Sequence, residues 1–463
     1  MTIASFFAGC GGLDLGFRQA GFNIIWANEI DPAIHATYAL NHPEVNLSIT
    51  DIRDLHTRDI PECDGFIGGP PCQAWSEGGK QMGLNDPRGQ LFLEYIRIIK
   101  EKHPKFFLIE NVPGIIGAKH INTFLSFITD LENSGYSINY TLLNAADFHV
   151  PQDRHRVFVI GFRKELNLIF NFPKPTGDLH ISLKEAIGDI TEKPRHYLNG
   201  IVNQNYGEWL NHDVYDGPWD SKFMARNRVR SWDETSFTIQ AQAKNCPLHP
   251  QAPKMKFKSH NSRTFVSGAE YLYRRLSVRE CARIQTFPDS FRFIYENIKD
   301  GYKMVGNAVP PRMAKLLAQS IKQAFLSGST KVFSNDYVLV GYYKDDTHLQ
   351  QILRNKIYYV RAGIRRGALK MHVGSGYPNY LLLHNGKHRY LFSLIPELPQ
   401  IFSSSDLTAL GFKPDGKEYL IFRLKDANTT NCLGIDLSKI IIKGKSHNSA
   451  IPYILPLQEI IHT

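Results

Sequence analysis

Strand-like and helix-like segments alternate through the first 160 residues, and this alternation constrains the fold more than any other feature. A β-rich run at 2–8 leads through a glycine turn into a helical segment, and a second strand-like run follows at 23–28. Later strand-like runs lie at 46–49, 63–67, 106–109, 138–143 and 157–160, and helix-like segments lie at 91–100 and 121–131. This pattern predicts an α/β domain with a doubly wound, mostly parallel sheet.

The overall composition favours a globular protein with an anionic partner. The 463 residues carry a formal net charge of +10, and 43% of them are hydrophobic. A basic balance of this kind is typical of nucleic-acid binding. The six cysteines form no CxxC pair, no apolar run reaches 18 residues, and the N-terminus lacks a secretory signal. We therefore expect a cytoplasmic protein without a metal site, a disulfide or a membrane span.

The glycine turn at 9–12 predicts a nucleoside site. Glu29 ends the second strand 20 residues after Gly9, the interval at which α/β nucleotide-binding units place an acid on ribose hydroxyls. A carboxylate suits a neutral diol, and the turn lacks the dinucleotide fingerprint, so no pyrophosphate is expected. Asp51, after the third strand, is placed to hold an adenine amino group. The alternatives are a tight packing turn at 9–12 and a capping role for Asp51.

A candidate nucleophile follows the fourth strand. The sequence Gly68-Gly-Pro-Pro-Cys72-Gln73 ends a buried strand with two glycines and two prolines. The prolines fix φ and hold the turn extended, so Cys72 is presented at the carboxyl edge of the sheet, where open α/β sheets place their active sites. A deprotonated thiol is a strong nucleophile. A buried structural cysteine is the alternative. The charged, glycine-rich segment 77–89 predicts a loop beside Cys72.

The character of the sequence changes after residue 170. Residues 171–270 show no sustained periodicity and contain the alternating basic residues Arg226, Arg228 and Arg230. Helical patterns return at 271–326, with a helix at 276–284 and a final helix at 312–325. After a short linker, residues 331–463 form a separate mixed β-rich domain with 17 Lys and Arg against 10 Asp and Glu. We thus predict a domain at 1–170, an irregular region at 171–270, a return to the first domain at 271–326, and a C-terminal domain.

Eight elements in this order resemble the DNA cytosine-5 methyltransferases, over residues 1 to about 325. They are Phe7-Ala-Gly-Cys-Gly-Gly12, Glu29, Asp51, Pro71-Cys72-Gln73, Glu110-Asn111-Val112, Gln152-x-Arg154-x-Arg156, Arg275-Leu-Ser-Val-Arg-Glu280 and Gly306-Asn307-Ala308-Val309. The resemblance implies the S-adenosylmethionine-dependent methyltransferase fold. It is closer still to the GGCC-specific members of Hae III type, through residues 68–77, 223–250 and 271–288.

This resemblance implies a catalytic mechanism. Cys72 would attack C6 of a flipped-out cytosine, and Glu110 would hold N3 and the exocyclic amine. One of Arg154 and Arg156 would contact O2 or neutralise charge, and the other would bind backbone. S-adenosylmethionine is the implied methyl donor, with no metal. The implied cofactor-binding residues are Phe7, Gly9, Gly11, Gly12, Leu13, Glu29, Ile30, Asp51, Ile52, Pro70, Asn307 and Ala308.

The same resemblance implies a double-stranded DNA substrate. The implied DNA-binding residues are Gln73, Ser76, Arg226, Arg228, Arg230, Gln242 and Lys244. Because half to two-thirds of protein–DNA hydrogen bonds go to phosphate and sugar, we expect one or two of the four basic residues to read bases. The GGCC likeness implies methylation of the inner cytosine by a bacterial, monomeric modification enzyme. A cognate restriction endonuclease would be its partner.

Three alternatives remain open at this stage. The catalytic motifs are shared with cytosine-5 methyltransferases that act on tRNA. The chain could also be a non-catalytic DNA-binding regulator on the same scaffold. For the C-terminal domain, the basic residues Arg361, Arg365, Arg366 and Lys370 beside Tyr358 and Tyr359 favour DNA binding, and protein binding is the alternative. A fused endonuclease is a further alternative for this domain. Pro414-Asp415 and Lys425 match the spacing of nuclease active-site residues only in part, because Arg423 stands where a second acid is needed.

Overall fold

The computed structural model describes residues 1–71, 87–117, 119–168, 170–176, 180–197, 210–327, 337–361, 378–385, 388–394, 400–414, 418–425 and 453–456. Cys72, Gln73, Ser76 and most of the predicted loop at 77–89 lie outside these residues, as do Arg365, Arg366 and Lys370. No helix among the described residues is long and apolar enough to cross a membrane.

The predicted parallel sheet is confirmed. Its seven strands are β1 (Thr2–Phe6), β2 (Asn23–Asn28), β3 (Asn46–Ser48), β4 (Gly65–Gly68), β5 (Phe106–Asn111), β6 (Tyr136–Asn144) and β8 (His155–Arg163). They are ordered β3-β2-β1-β4-β5-β8-β6, and only β8 runs antiparallel to its neighbours. Strands β1 and β4 pair directly although they are far apart in sequence. Their carboxyl ends meet where the strand order reverses, which is where such sheets bind ligands.

Helices cover both faces of this sheet. They are α1 (Gly12–Gln19), α2 (Pro32–Asn41), α3 (Pro87–Lys102), α4 (Ile121–Asn133) and, from the far end of the chain, α8 (Pro311–Ser327). Apolar residues of α1 and α8 pack with one face of the sheet, and those of α3 and α4 pack with the other. Local signals set the ends, since Asp31 caps α2 and Pro32 occupies its first turn.

The middle region is irregular, as predicted, but it is held together by small pieces of regular structure. These are α5 (Leu183–Ile187), β9 (Arg195–Tyr197), β10 (Asp213–Tyr215), β11 (Ser236–Phe237), β12 (Lys256–Ser259) and β13 (Ser262–Thr264). Strand β11 pairs with β7 (Gln152–Asp153), which directly precedes β8 of the seven-stranded sheet, so main-chain hydrogen bonds join the middle region to the first domain. The return segment forms α6 (Val278–Ile284) and α7 (Ile298–Asn307). Helix α7 was not among the predicted helices, which lie at 276–284 and 312–325 in this segment.

The buried Arg275 organises the middle region. Its guanidinium lies 3.9 Å from the ring centroid of Trp219 and donates to the carbonyl oxygens of Tyr215 and Gly217. It also donates to the carbonyl oxygen of Pro218. One buried guanidinium thus holds residues 215–218 together through their carbonyl oxygens, although the sequence there has no helix or strand periodicity.

The C-terminal residues form a β-rich unit with its own core, in agreement with the predicted mixed β-rich character. Its elements are β14 (Tyr337–Tyr342), α9 (Asp346–Asn355), β15 (Ile357–Arg361), β16 (Tyr380–His384), β17 (Arg389–Ser393), β18 (Gln400–Ser403), α10 (Ser404–Ala409), β19 (Glu418–Arg423) and β20 (Tyr453–Pro456). Tyr358 is buried in this core, and its hydroxyl bonds to the main chain of Tyr342. Tyr358 therefore does not form part of an exposed DNA-binding cluster.

Candidate active site

A cavity of about 430 Å³ opens at the carboxyl edge of the sheet. All the predicted cofactor-binding residues line it except Gly11, and so do Glu110, Arg154 and Arg156. Asn307, the last residue of α7, and Ala308, the residue after it, complete the cavity wall from a distant part of the sequence. The structure thus brings together motifs separated by about three hundred residues in a single cavity.

The glycine turn is shaped for close approach of the main chain to this cavity. Gly9 and Gly11 have φ of 56° and 85°, in the left-handed region that favours glycine. A Cβ on Gly11 would lie 2.1 Å from Nε2 of the buried His42, and a Cβ on Gly12 would lie 2.6 Å from the carbonyl oxygen of Val309. Gly11 therefore faces away from the cavity, yet the turn requires it. Phe7 also adopts a positive φ of 51°, which marks local strain at this point.

Glu29 is held rigidly in the cavity wall. Its Oε2 accepts a hydrogen bond from the main-chain N of Gly9 at 2.9 Å, and its Oε1 accepts one from Asp31 N at 2.9 Å. Burial raises the pKa of the Glu29 carboxyl, although these two bonds lower it. Gly9 and Glu29, which are 20 residues apart in the sequence, are therefore in direct contact in the fold. The carboxylate can accept from the hydroxyl groups of a diol.

Asp51 takes the capping role that the sequence left open as its alternative. Its Oδ1 accepts from the main-chain N of Arg53 at 2.9 Å, and Arg53 Nη2 lies 2.5 Å from Oδ2. The hydrogen bond from the Arg53 side chain lowers the pKa of Asp51. Asp51 still lines the cavity, so contact with an adenine amino group stays a prediction. Lys303 and Asp31, which sequence reasoning missed, form an ion pair in the same wall.

The turn that leads to Cys72 is fixed by the next strand. Asn111 Nδ2 donates to the carbonyl oxygen of Pro70 at 3.2 Å, and Asn111 Oδ1 accepts from Val112 N. Gly69 passes close to Glu110, since a Cβ there would lie 3.2 Å from Glu110 Oε2. The Glu110-Asn111-Val112 motif therefore positions both an acid and the proline turn. Cys72 itself follows directly after the last described residue of that turn.

Glu110 and Arg156 form the polar corner of the cavity. Arg156 Nε lies 2.9 Å from Glu110 Oε1, and the two side chains are 16% and 10% exposed. They come from the adjacent antiparallel strands β5 and β8. An acid and a guanidinium at this spacing can together bind a planar ring that carries both donors and acceptors on one edge.

Arg154 has a different role from Arg156. It is 1% exposed, and its guanidinium donates to the carbonyl oxygens of Ile239, Gly306 and Ala308. These contacts join the residue between β7 and β8 to the middle region and to the end of α7. Arg154 is therefore a structural residue, and its prediction as a catalytic residue is corrected. Of the two arginines, the backbone-binding one is Arg154, and it binds the protein's own main chain.

Residues 1–323 match the family model of C-5 cytosine-specific DNA methylases. The chain belongs to this family. It is 48% identical over 333 residues to the type II methyltransferase M.NgoPII of Neisseria gonorrhoeae, covering 70% of this chain and 96% of that protein. It is 50% identical over 324 residues to the type II methyltransferase M.MthTI of Methanothermobacter thermautotrophicus, covering 70% and 97%. The enzyme is a DNA cytosine-5 methyltransferase.

Solved structures agree with the fold. A prophage-encoded E. coli protein described as a DNA modification methyltransferase superposes with a TM-score of 0.54 at 23% identity. The match covers 70% of this chain and 99% of that one. The family match ends at residue 323, so the C-terminal domain of this methyltransferase lies outside it.

S-adenosylmethionine is the methyl donor of this methyltransferase family, and the cavity fits it. Gly9, Gly12 and Gly69 line the space without side chains, and Glu29 offers a carboxylate to ribose hydroxyls. Pro70 and Leu13 supply apolar surface to the same cavity. Among the described residues, no group of three or more His, Cys, Asp or Glu could hold a metal ion.

The four basic candidates of the middle region differ in availability. Arg228 is buried, and its guanidinium donates to the carbonyl oxygens of Phe223 and Lys222, so its prediction as a DNA-binding residue is corrected. Arg230 pairs with Glu234 at 3.2 Å and lies over the Phe237 ring. Arg226 is exposed, and Lys244 is 52% exposed with Asp220 at 3.6 Å. Gln242 is exposed as well. Sequence spacing could not separate these four, because alternation does not show which side faces the core.

Proposed function

We propose that this methyltransferase is the modification enzyme of a type II restriction-modification system and methylates C5 of the inner cytosine of GGCC in duplex DNA. The type II names of its relatives support the class of system, and the resemblance of residues 68–77, 223–250 and 271–288 to GGCC-specific enzymes supports the sequence. The enzyme would act as a monomer in the bacterial cytoplasm, with a separate restriction endonuclease cutting the same sequence.

The contact between Glu110 and Arg156, beside Pro70, is the observation that supports cytosine C5 methylation as the reaction. C5 of cytosine is a poor nucleophile, so the ring must first be activated. The Cys72 thiolate forms a bond to C6, and the Glu110 carboxyl, in its protonated form, donates a proton to N3, so that C5 becomes the carbon of an enamine. Arg156 holds the O2 side of the ring. S-adenosylmethionine supplies an electrophilic methyl group when it is bound.

The reaction ends when a base, for which water is available, removes the proton on C5, Glu110 takes back the proton on N3, and the bond between Cys72 and C6 breaks. This restores the aromatic ring with its new methyl group and frees the thiolate. Attack on C6 and methyl transfer to C5 both need the face of the cytosine ring, which is covered by neighbouring bases inside a duplex. The cytosine must therefore leave the base stack, at a cost of a few kcal/mol. Arg226, Gln242 and Lys244 are the exposed residues of the middle region that we propose for contact with guanines of the target.

Covalent trapping tests the mechanism. Wild-type enzyme should form a denaturation-resistant adduct with duplex DNA that carries 5-fluorocytosine at the target, because fluorine cannot leave as a proton does. Cys72→Ser should form none and should lose methyl transfer while binding S-adenosylmethionine as wild type does. Residual turnover of more than a small fraction in Cys72→Ser would exclude this nucleophile.

The substrate is tested separately. Plasmid from cells that express the enzyme should resist a GGCC-cutting endonuclease, and bisulfite sequencing should place the methyl group on the inner cytosine. Labelled methyl transfer to duplex DNA and to tRNA should be compared in parallel. Transfer to tRNA alone would replace the proposed substrate, and methylation of another DNA sequence would replace GGCC.

A further inference from the structure

We propose that the hairpin formed by β12 and β13, together with the turn between them, is an arm that holds DNA phosphates beside the target sequence. The inference rests on the proposed DNA substrate and extends it to a surface outside the predicted base-reading segment. The hairpin consists of residues 256–264 and is called the basic arm below.

The basic arm is exposed along the whole of β12 and half-buried along most of β13. Every residue of β12 is exposed, and Phe257 retains 70% of its accessible surface. Isolated two-stranded hairpins are only marginally stable in water, so an arm of this kind contributes little to the stability of the fold. Exposed aromatic surface on a projecting element is more typical of a contact made in a complex.

The charge of the arm is of one sign. Residues 251–269 contain Lys254, Lys256, Lys258 and Arg263 and no Asp or Glu. Lys254 already pairs with Glu234 at 3.0 Å, which leaves the three cations of the arm itself. A local excess of cations without acids is the electrostatic pattern of a phosphate-binding surface.

Strand register sorts the arm into two faces. Phe257 lies directly opposite Arg263, and the Arg263 guanidinium is 4.7 Å from the centroid of the Phe257 ring. Because side chains alternate along a strand, Lys256 lies on the face opposite Phe257, and Lys258 lies where the register shifts between Phe257 and Ser259. Ring contact holds the Arg263 guanidinium over Phe257, and the exposed Lys256 and Lys258 are the two cations that we assign to phosphate.

The base of the arm is anchored beside the candidate base reader Arg226. Arg263 N donates to the carbonyl oxygen of Met224 at 2.7 Å, and Met255 N donates to Asn227 Oδ1 at 3.0 Å. Phe265, just after the arm, stacks on Tyr273 with centroids 4.2 Å apart. The arm therefore starts from a packed cluster within two residues of Arg226.

The length of the arm sets its reach. About three residues separate Arg263, which is bonded to Met224, from the tip, and at roughly 3.3 Å per residue the arm extends about 10 Å beyond this anchor. Since base pairs are spaced about 3.4 Å along the duplex, this equals about three base pairs. A fixed arm of this length reaches phosphates beyond a four-base target. It contributes affinity and orientation without adding to the sequence that is read.

The double variant Lys256→Gln/Lys258→Gln tests the arm. Affinity for a duplex that extends about ten base pairs beyond the methylated sequence should be measured against salt concentration by fluorescence anisotropy. Each lost phosphate contact lowers the log–log slope by about 0.9, so the variant should lose about two. On a duplex that ends about two base pairs beyond that sequence, the slope of the variant should fall by less than half as much. The methylated sequence should be unchanged.

The matched control is Lys100→Gln/Lys102→Gln. These lysines lie in the last turn of α3, which leads into the amino end of β5 and so away from the carboxyl edge where the cavity opens, and their replacement changes the net charge equally. Lys100 pairs with Asp130 and Lys102 with Glu62. An arm variant with the slope of wild type, or with no more change than this control, overturns the proposal. A change in the methylated sequence also overturns it, because the arm would then read bases. Wild-type enzyme that methylates no DNA contradicts the proposed function instead, while the salt slopes still report on the arm.

Discussion

Arg156 Nε lies 2.9 Å from Glu110 Oε1, whereas the guanidinium of Arg154, two residues earlier in the chain, is bonded to main-chain carbonyl oxygens. Two arginines from one motif thus have separate roles. One faces the cavity with the acid that we propose for cytosine N3. The other holds the middle region and α7 against the sheet. The pairing explains why the motif needs both.

Substitution should separate these two roles. Arg156→Gln should lower kcat/KM by about 100-fold or more, because a charged group at the reacting ring is lost, while the unfolding temperature stays close to that of wild type. Arg154→Met should destabilise the protein by roughly 3–5 kcal/mol, because three buried carbonyl groups lose their donor. Thermal unfolding and steady-state kinetics on both variants distinguish these effects. Equal losses of stability would contradict the separation.

Glu29 should govern affinity for the methyl donor and not for DNA. Glu29→Ala removes the carboxylate that accepts from Gly9 N and faces the cavity, so the dissociation constant for S-adenosylmethionine should rise by about tenfold or more. Isothermal calorimetry measures this constant, and DNA affinity serves as the control. Unchanged donor affinity would mean that Glu29 only holds the turn.

Gly306 is placed where no side chain fits. A Cβ there would lie 2.3 Å from the main-chain carbon of Gln240 and 2.4 Å from Ala241 N. Gly306→Ala should therefore displace this part of the middle region and cost about 1–3 kcal/mol, with weaker DNA binding. Gly268→Ala is the control, because that position has open space and a φ of 82°, so only the left-handed backbone cost of about 1 kcal/mol applies. Urea unfolding and DNA titration report both effects.

Asp14 should make stability depend on pH. Burial raises the pKa of its carboxyl to about 6, although Ser5 and Tyr38 donate hydrogen bonds to its oxygens. The folded state keeps this proton where the unfolded chain, with a pKa near 3.8, has released it. The contribution of Asp14 to stability is therefore full below about pH 4, falls as pH rises toward 6, and is level above that.

Asp14→Asn should remove that dependence. Urea unfolding at about pH 5 and pH 7.5 should show a smaller loss of stability with rising pH in the variant than in wild type. Equal changes in both proteins would mean that Asp14 is ionised in the folded state throughout this range.

Truncation after Ser327 should leave a folded, active methyltransferase. The family match ends at residue 323, and the core of the C-terminal unit consists of residues between 339 and 424. We expect the truncated protein to methylate the same sequence with an unfolding temperature close to that of the full chain. Comparing salt slopes for DNA binding then shows whether the removed domain holds DNA. Loss of soluble protein on truncation would contradict the independence of the two cores.

The sequence alone determined the sheet, the position of the cavity and the family. Strand and helix periodicity, the glycine turn and the proline turn are local properties, because each follows from the φ, ψ and side-chain spacing of a few neighbouring residues. Glu29 could be assigned from its interval after Gly9 for the same reason. The carboxyl ends of parallel strands must meet at one edge, so the cavity was implied as soon as the strands were recognised.

Only the tertiary structure decided which charged residues face ligand and which face protein. Arg154 bonds to Gly306, 152 positions away, and Arg228 turns toward Phe223 inside a cluster that no periodicity revealed. Tyr358 is a core residue although it stands in a basic stretch of sequence. A charged side chain is equally polar in either setting. Its role depends on whether distant main-chain carbonyl groups or solvent surround it, and that is fixed only when the chain has folded.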